Sequence, residues 1–434
     1  MVIFRSTENI NIKTTDGTLI SYSKLKNPSN LFNENIYITS LEDFEDLKRV
    51  FTNVGKKYKA KTIEESKIRY LSQFPKELGI SNLNEFAITQ SLDFKYKKFN
   101  LLESSNDIQS LYLNENKTNI DKQIEGILKE EISIVILGNP GLTISEMICA
   151  STALRLLYEK LKKRFRSVKI DIYLNASENK YFSRDKAIFS NQSFIHRVTA
   201  LSINVKKICE YDFFIDVSSV SKRSYYAQLP HIDAWLYKFG MDYNSIPNEK
   251  KYNNISLEYY KPKNELKEKF QTLKSKGKLL LFHPFSANIS KSIPKEIAAS
   301  LLKELMVKLP DYTIVSVLKI DTKIDEDRFV DLSMYSNGFL DFAYIISNMS
   351  NVLTVNTSTY HIAEAFFIPT IVIFTDSNKK ETPHNYDCAK AIYVKDKSKN
   401  FSQFIFKNDS LILHKFEGWN RLNSSKIIKL LENF

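Results

Sequence analysis

The stretch VLTVNTSTYHIAEAFFIPTIVIF, Val352 to Phe374, constrains the fold more than any other part of the chain. Val352–Val355 is β-branched and apolar enough for a buried strand, and residues 359–367 have helix-compatible composition. Pro369 stops that helix, and Thr370–Phe374 reads as a second buried strand. The result is a strand–turn–helix–strand unit of the kind that builds parallel sheets. Its hydroxyl patch, Asn356 to Thr359, falls where a strand's carboxyl end meets a helix N-terminus. Open parallel sheets bind ligands at that edge, and a helix N-terminus favours anions.

The same alternation recurs in two blocks. In the first, ISIVILGN is a buried strand, PGLTIS a turn and EMICASTALRLLYEKLKKRF a long amphipathic helix. VKIDIYLN and YDFFIDVSS read as further strands, and HIDAWLYKFG as a helix ending at Gly240. A polar segment, NEKKYNNISLEYYKPKNELK, reads as a linker. The second block runs from KLLLFHPFS through the helix PKEIAASLLKELMVKLP, the strand YTIVSVLKI and the helix LDFAYIISNM to the opening unit. Strands alternating with helices of this length imply an α/β chain of two doubly wound, Rossmann-like halves with a cleft between them. The expected boundaries are 129–262 and 263–420, with a terminal helix over 421–434 packing back on the first half. Residues 1–128 are polar and irregular, with short strand-like pieces (VIFRS, TLISYS, NIYITS), and read as an accessory α+β domain.

Composition narrows the class. At 434 residues the chain has room for two or three domains. No apolar stretch approaches the roughly 18 residues that span a bilayer, and the N-terminus lacks the basic-then-apolar order of a secretion signal. A cytoplasmic protein is expected. Cys149, Cys209 and Cys388 stand far apart, without the pairing of a disulfide framework or a cysteine-rich zinc site. The net charge of +12 invites a nucleic-acid reading, but the lysines are spread along the chain as a compositional bias, so no nucleic-acid partner is expected. The one dense cluster, KLKKRFRSVK at Lys160–Lys169, reads as a solvated helix end, compatible with peripheral contact with an anionic inner membrane. With 10 glycines and neither GxGxxG nor GxxxxGK[ST], a P-loop or glycine-rich dinucleotide loop is unexpected.

Three stretches carry a family likeness. HPFSANISKSIPKE places Lys291 and Pro294 in a Lys-x-x-Pro step after a strand end, with Ile293 between them. NTSTYHIAEAFFIP places Thr357, His361, Ala363, Ala365 and Pro369 in an acid-hydroxyl-glycine-x-x-His pattern, with Asn356 for the acid and Ser358 for the glycine. The strand–turn–helix of Glu131–Leu154 puts Glu146 at the position of a catalytic acid. Together they resemble glycosyltransferase family 9, the heptosyltransferase-like enzymes of the GT-B fold, over roughly residues 130–420. The resemblance implies an inverting, metal-independent transferase without a cofactor. It would take a nucleotide-diphospho-sugar, with ADP-heptose one candidate, and glycosylate a lipopolysaccharide, surface-glycan or protein acceptor. The altered acid positions leave a second reading, a catalytically degenerate accessory subunit or acceptor-binding chaperone.

An inverting transfer needs a base for the acceptor hydroxyl and positive charge with N–H donors for the departing diphosphate. Glu146 is the candidate base, although Thr143-Ile-Ser-Glu146 is also a capping box. For donor binding, Lys291 with the Thr357–Ser358 turn would hold the diphosphate, with Ser286 and Asn288 on the same rim. Asn356 cannot titrate and is a positioning residue. His361 is expected to hold the turn near the diphosphate. Asp321 is the candidate for the ribose diol, with Asp325 and Glu326 as alternatives. Asp325-Glu326-Asp327 is formally Asp-x-Asp, but it follows a charged stretch and reads as a solvated helix start; no metal is expected. His231, opening a helix after Pro230, is either an acceptor contact or a packing residue.

Overall fold

The computed structural model describes residues 1–24, 26, 31–32, 34–53, 60–81, 119–218, 220–320, 327–375, 386–394, 405–408, 411–414 and 417–434. It divides into two compact units, Met1–Lys251 and Tyr252–Phe434.

The first unit begins with β1 (Val2–Ser6), β2 (Ile10–Lys13), β3 (Leu19–Tyr22) and β4 (Ile36–Thr39), then α1 (Leu41–Asn53), β5 (Ala60–Ile63) and α2 (Glu65–Arg69). Strand β1 lies between β4 and β5, antiparallel to both, and β2 and β3 form a separate antiparallel hairpin. There follow β6 (Lys76–Glu77), α3 (Ile120–Ile124), β7 (Glu131–Leu137), α4 (Ile144–Lys162), β8 (Ser167–Leu174), α5 (Phe182–Ser190) and β9 (Arg197–Ala200). The unit is completed by β10 (Ile203–Asn204), α6 (Val205–Ile208), β11 (Phe213–Asp216), α7 (Ser224–Gln228) and α8 (His231–Lys238). Five strands make a wholly parallel sheet in the order β6-β11-β7-β8-β9. Strand β7 is buried continuously from Ile134 to Leu137, the apolar run expected of a strand inside a parallel sheet.

The second unit contains α9 (Asn264–Ser275), β12 (Lys278–His283), α10 (Lys295–Lys308), β13 (Tyr312–Ser316), β14 (Phe329–Asp331), α11 (Phe339–Ser347) and β15 (Asn351–Val355). Then come α12 (Ser358–Ala365), β16 (Thr370–Phe374), β17 (Ala389–Tyr393), the hairpin β18 (Ile405–Asn408) and β19 (Leu411–His414), and α13 (Ser424–Glu432). Its six-stranded sheet is parallel throughout, in the order β14-β13-β12-β15-β16-β17. Counted along the chain this is 3-2-1-4-5-6, the Rossmann order. Each unit therefore carries a Rossmann-like parallel sheet, as the alternating pattern implies.

The domain boundaries differ from the expected ones in three places. Residues 1–128 are not a separate body: β6 supplies the edge strand of the parallel sheet, and β10 returns to pair with β4. One hydrophobic cluster joins Ile3, Ile36, Ile38 and Ile68 to Val135, Leu137 and Phe214. The segment has an apolar cluster of its own around Phe4, Tyr22, Tyr37, Phe44 and Leu47, and the opposite face of β1 and β4 is buried in the shared one. The units also meet in sequence at 251/252, earlier than 262/263, because Asn253 is fully buried within the second unit. Finally, α13 packs on α10 and β16, with Ile427, Ile428 and Leu431 in the second unit's core beside Trp419. Its apolar stripe is spent there, which corrects the expected packing on the first half.

Candidate functional site

In the second sheet the strand order reverses between β12 and β15, which are hydrogen-bonded neighbours. Such a switch point leaves a crevice at the carboxyl ends, and both stretches singled out in the sequence exit there. After β12 the chain runs through His283–Pro294. After β15 it passes Asn356 and Thr357 into α12. Two bonds tie the exits together: His283 Nδ1 lies 2.7 Å from Thr359 Oγ1, and the Thr354 hydroxyl donates to the His283 carbonyl at 3.2 Å.

The first exit is folded around Ser292. Its hydroxyl accepts from the Ser286 amide at 2.9 Å and donates to the Ser286 carbonyl at 3.1 Å. The Asn288 amide bonds the Ser286 hydroxyl, and the Lys291 amide bonds the Asn288 carbonyl. Ser286, Asn288 and Lys291 thus lie on one compact turn at the sheet edge, Asn288 exposed and the other two half-buried. Across from it, Thr357 stands at the N-cap of α12 with extended backbone, yet its side chain makes no capping bond. A plain cap would have used that hydroxyl.

His361, one turn into α12, is buried with its Nδ1 2.6 Å from the Tyr386 hydroxyl. Asn253 donates from its side chain to that hydroxyl at 2.8 Å and to the His361 carbonyl at 3.2 Å, while its amide donates to Glu364 at 2.7 Å. Such a buried, bonded histidine suits a group that holds the turn. Ser292, Thr359, Tyr386, Glu364 and Asn253 form the support that sequence reasoning missed. Asn253 and Tyr386 lie outside the quoted motifs, while Ser292, Thr359 and Glu364 lie within them at positions given no role, and the partners are up to 133 residues apart.

Burial pushes the His283 imidazole down to about 4, so it is neutral at physiological pH. Its folded value lies below the ordinary 6.5. The stability it contributes is therefore present above pH 6.5 and is lost as pH falls from 6.5 through 4. The expected loss is about 3 kcal/mol. Thermal melts of wild type and His283→Gln from pH 7 to 4 check this; the variant's acid limb is expected to be the flatter.

In the first unit, leaving out the edge strand β6, the order β9-β8-β7-β11 is 3-2-1-4 along the chain and puts the switch point between β7 and β11. The β7 exit is the tight turn 138–143. Gly141 has φ +114°, and a Cβ there would stand 2.7 Å from the Glu146 Cβ, so only glycine fits. Glu146 forms the capping box of α4: its amide bonds Thr143 Oγ1 at 3.2 Å, and its Oε2 accepts from Leu142 at 2.6 Å and Thr143 at 3.3 Å. Its charge also helps burial raise the nearby Tyr226 hydroxyl. His231, at the start of α8, has its ring centroid 5.2 Å from that of Tyr226. Glu146, Tyr226 and His231 are thus linked through one aromatic side chain.

Asp321, Asp325 and Glu326 lie outside the described residues, and Asp327 sits in an exposed turn. Among the described residues no group of three or more His, Cys, Asp or Glu side chains could hold a metal ion, and no helix is long and apolar enough to cross a membrane. All three cysteines are free. His196 pairs with Asp171 at 2.7 Å, beside Arg197 and Tyr211.

No family model and no curated protein matches the chain. Solved glycosyltransferases do. The glycosyl transferase family 9 structure from Veillonella parvula DSM 2008 aligns over 71% of this chain and 98% of its own, at 13% identity and TM-score 0.49. The E. coli ADP-heptose lps heptosyltransferase II aligns over 70% and 98%, at 12% identity and TM-score 0.48. The iron-containing dodecameric glycosyltransferase TibC from enterotoxigenic E. coli aligns over 70% and 76%, at 10% identity and TM-score 0.42. A UDP-GlcNAc 2-epimerase from Methanocaldococcus jannaschii also aligns, over 70% and 100%, at 11% identity and TM-score 0.33. At these values the case for the fold rests on the strand orders described above.

Proposed function

We propose that the protein is an inverting glycosyltransferase that moves a sugar from a nucleotide-diphospho-sugar to a glycan or protein acceptor without a metal. The observation that carries this reading is the convergence at the β12/β15 switch point. A lysine-bearing turn and a helix N-terminus whose N-cap side chain makes no capping bond meet there, bridged by His283 and Thr359. That arrangement suits a diphosphate, with helix N–H groups and the Lys291 ammonium offsetting charge on the leaving group. Ser286, Asn288, Asn356, Thr357 and Ser358 would add hydrogen bonds, His361 would hold the turn, and Asp321 is proposed for the ribose. Glu146 is the proposed base and His231 an acceptor-side group. ADP-heptose is one donor the resemblance suggests, and a cytoplasmic location with peripheral contact at the inner membrane would suit a surface-glycan acceptor.

The test is a thermal-shift series with ADP, UDP, GDP and CMP on wild type and Lys291→Ala. A ligand that binds only the folded state raises the melting temperature. One diphosphate is expected to shift wild type and to lose that shift in Lys291→Ala. The accessory-subunit reading has its own support in Asn356 and in the engagement of Glu146 as a helix cap. Absence of any shift would favour it.

A further inference from the structure

The N-terminal segment is built onto the carboxyl edge of the first parallel sheet, on both sides of β7. On the β8 side, Asp43 is fully buried and accepts from the Ala176 and Ser177 amides at 2.9 and 3.0 Å and from the Thr39 hydroxyl at 2.7 Å. Those two amides lie two and three residues past the end of β8. On the β11 side, Lys222 lies 3.8 Å from Glu42, the residue before Asp43. Strand β7, between β8 and β11, leads into the turn that carries Glu146.

A continuous set of bonds runs from α1 to that turn. The Ser40 hydroxyl donates to Asn175 Oδ1 at 2.7 Å. The Asn175 amide donates to Asn139 Oδ1 at 2.9 Å, and the Gly141 amide to the Asn139 carbonyl at 2.8 Å. The next amide, Leu142, bonds the Glu146 carboxylate. Asp43 fixes the chain just beyond Asn175, so the link has little freedom to slide. Ser40 is fully buried and Asn139 and Asn175 are half-buried, and groups joined in series by such bonds rigidify the segments they connect.

We propose that Ser40 and Asn175 are positioning residues for the Glu146 turn, so that the N-terminal segment sets the geometry of acceptor activation and leaves donor binding untouched. This rests on the reading of Glu146 given above, and the test separates the two.

Hydrogen exchange at the Leu142 and Thr143 amides reports on the turn without any chemistry. In Ser40→Ala and in Asn175→Ala these amides are expected to exchange about tenfold faster, whereas Ser40→Thr and Asn175→Asp, which keep the donor and the acceptor oxygen, behave as wild type. Asn175→Ala leaves the Ser40 cap of α1 in place, so a shared effect belongs to the link and not to the cap. Release of nucleoside diphosphate from the donor that the thermal-shift series identifies is expected to fall about tenfold or more in kcat, with its KM unchanged. Wild-type exchange in both alanine variants would overturn the proposal. So would faster exchange with wild-type kcat. Wild-type release by Glu146→Gln would remove the base reading alone, since the exchange arm still decides whether the link holds the turn.

Discussion

Glu146→Gln is expected to lower the rate of nucleoside diphosphate release by about 10²–10⁴, the usual contribution of a general base. Its stability is expected to stay within about 1 kcal/mol of wild type. The substitution is chosen because the two roles of Glu146 need different atoms. As a cap, the side chain needs an oxygen that accepts from Leu142 and Thr143, and both bonds fall on Oε2. A glutamine oxygen does that equally well, as its place in capping boxes shows. As a base, the side chain needs a negative charge that glutamine lacks. Glu146→Ala serves as the contrast, because it removes both and adds a capping loss of roughly 0.5–2 kcal/mol. Wild-type rate in Glu146→Gln, measured beside its melting temperature, would leave Glu146 as a cap only.

A chain starting at residue 119 is expected to lose the fold of the first unit altogether. Ile3, Ile36, Ile38 and Ile68 are each 1% exposed or less and share a core with Val135, Leu137 and Phe214. Burying a side chain of that size contributes about 1.5–3 kcal/mol, so the four together come to about 6–12 kcal/mol. A whole domain is stable by only about 5–15 kcal/mol. Truncation would also strip the β6 edge from the parallel sheet and leave the Ala176 and Ser177 amides without the Asp43 carboxylate. Limited proteolysis should cut freely within 119–251 while peptides of the second unit stay protected, with a matching loss of far-ultraviolet dichroism. A truncated chain that resists protease throughout would show that the N-terminal segment is an independent attachment.

The second unit was the most legible part of the sequence. Its strands are apolar on both faces and its turns carry the hydroxyls and lysine, so periodicity marks the elements and their carboxyl edge. Adjacency of Lys291 and Asn356–Ser358 follows once β12 and β15 pair, and only the strand order supplies that pairing. The supporting residues were not legible. Asn253 and Tyr386 are ordinary in sequence, and His283 and Thr359 stand in marked stretches without a sign of their pairing; all four matter through bonds between segments far apart in the chain.

By itself the sequence determined the two α/β blocks, the hydroxyl turn at a strand–helix junction and the capping box at Glu146, because each depends on neighbours within a few residues. Only the tertiary structure decided that the N-terminal segment belongs to the first unit, that α13 belongs to the second, and that Asp43 is fully buried. Those outcomes depend on which apolar faces and unsatisfied amides find each other in space, a long-range matter that local pattern does not encode.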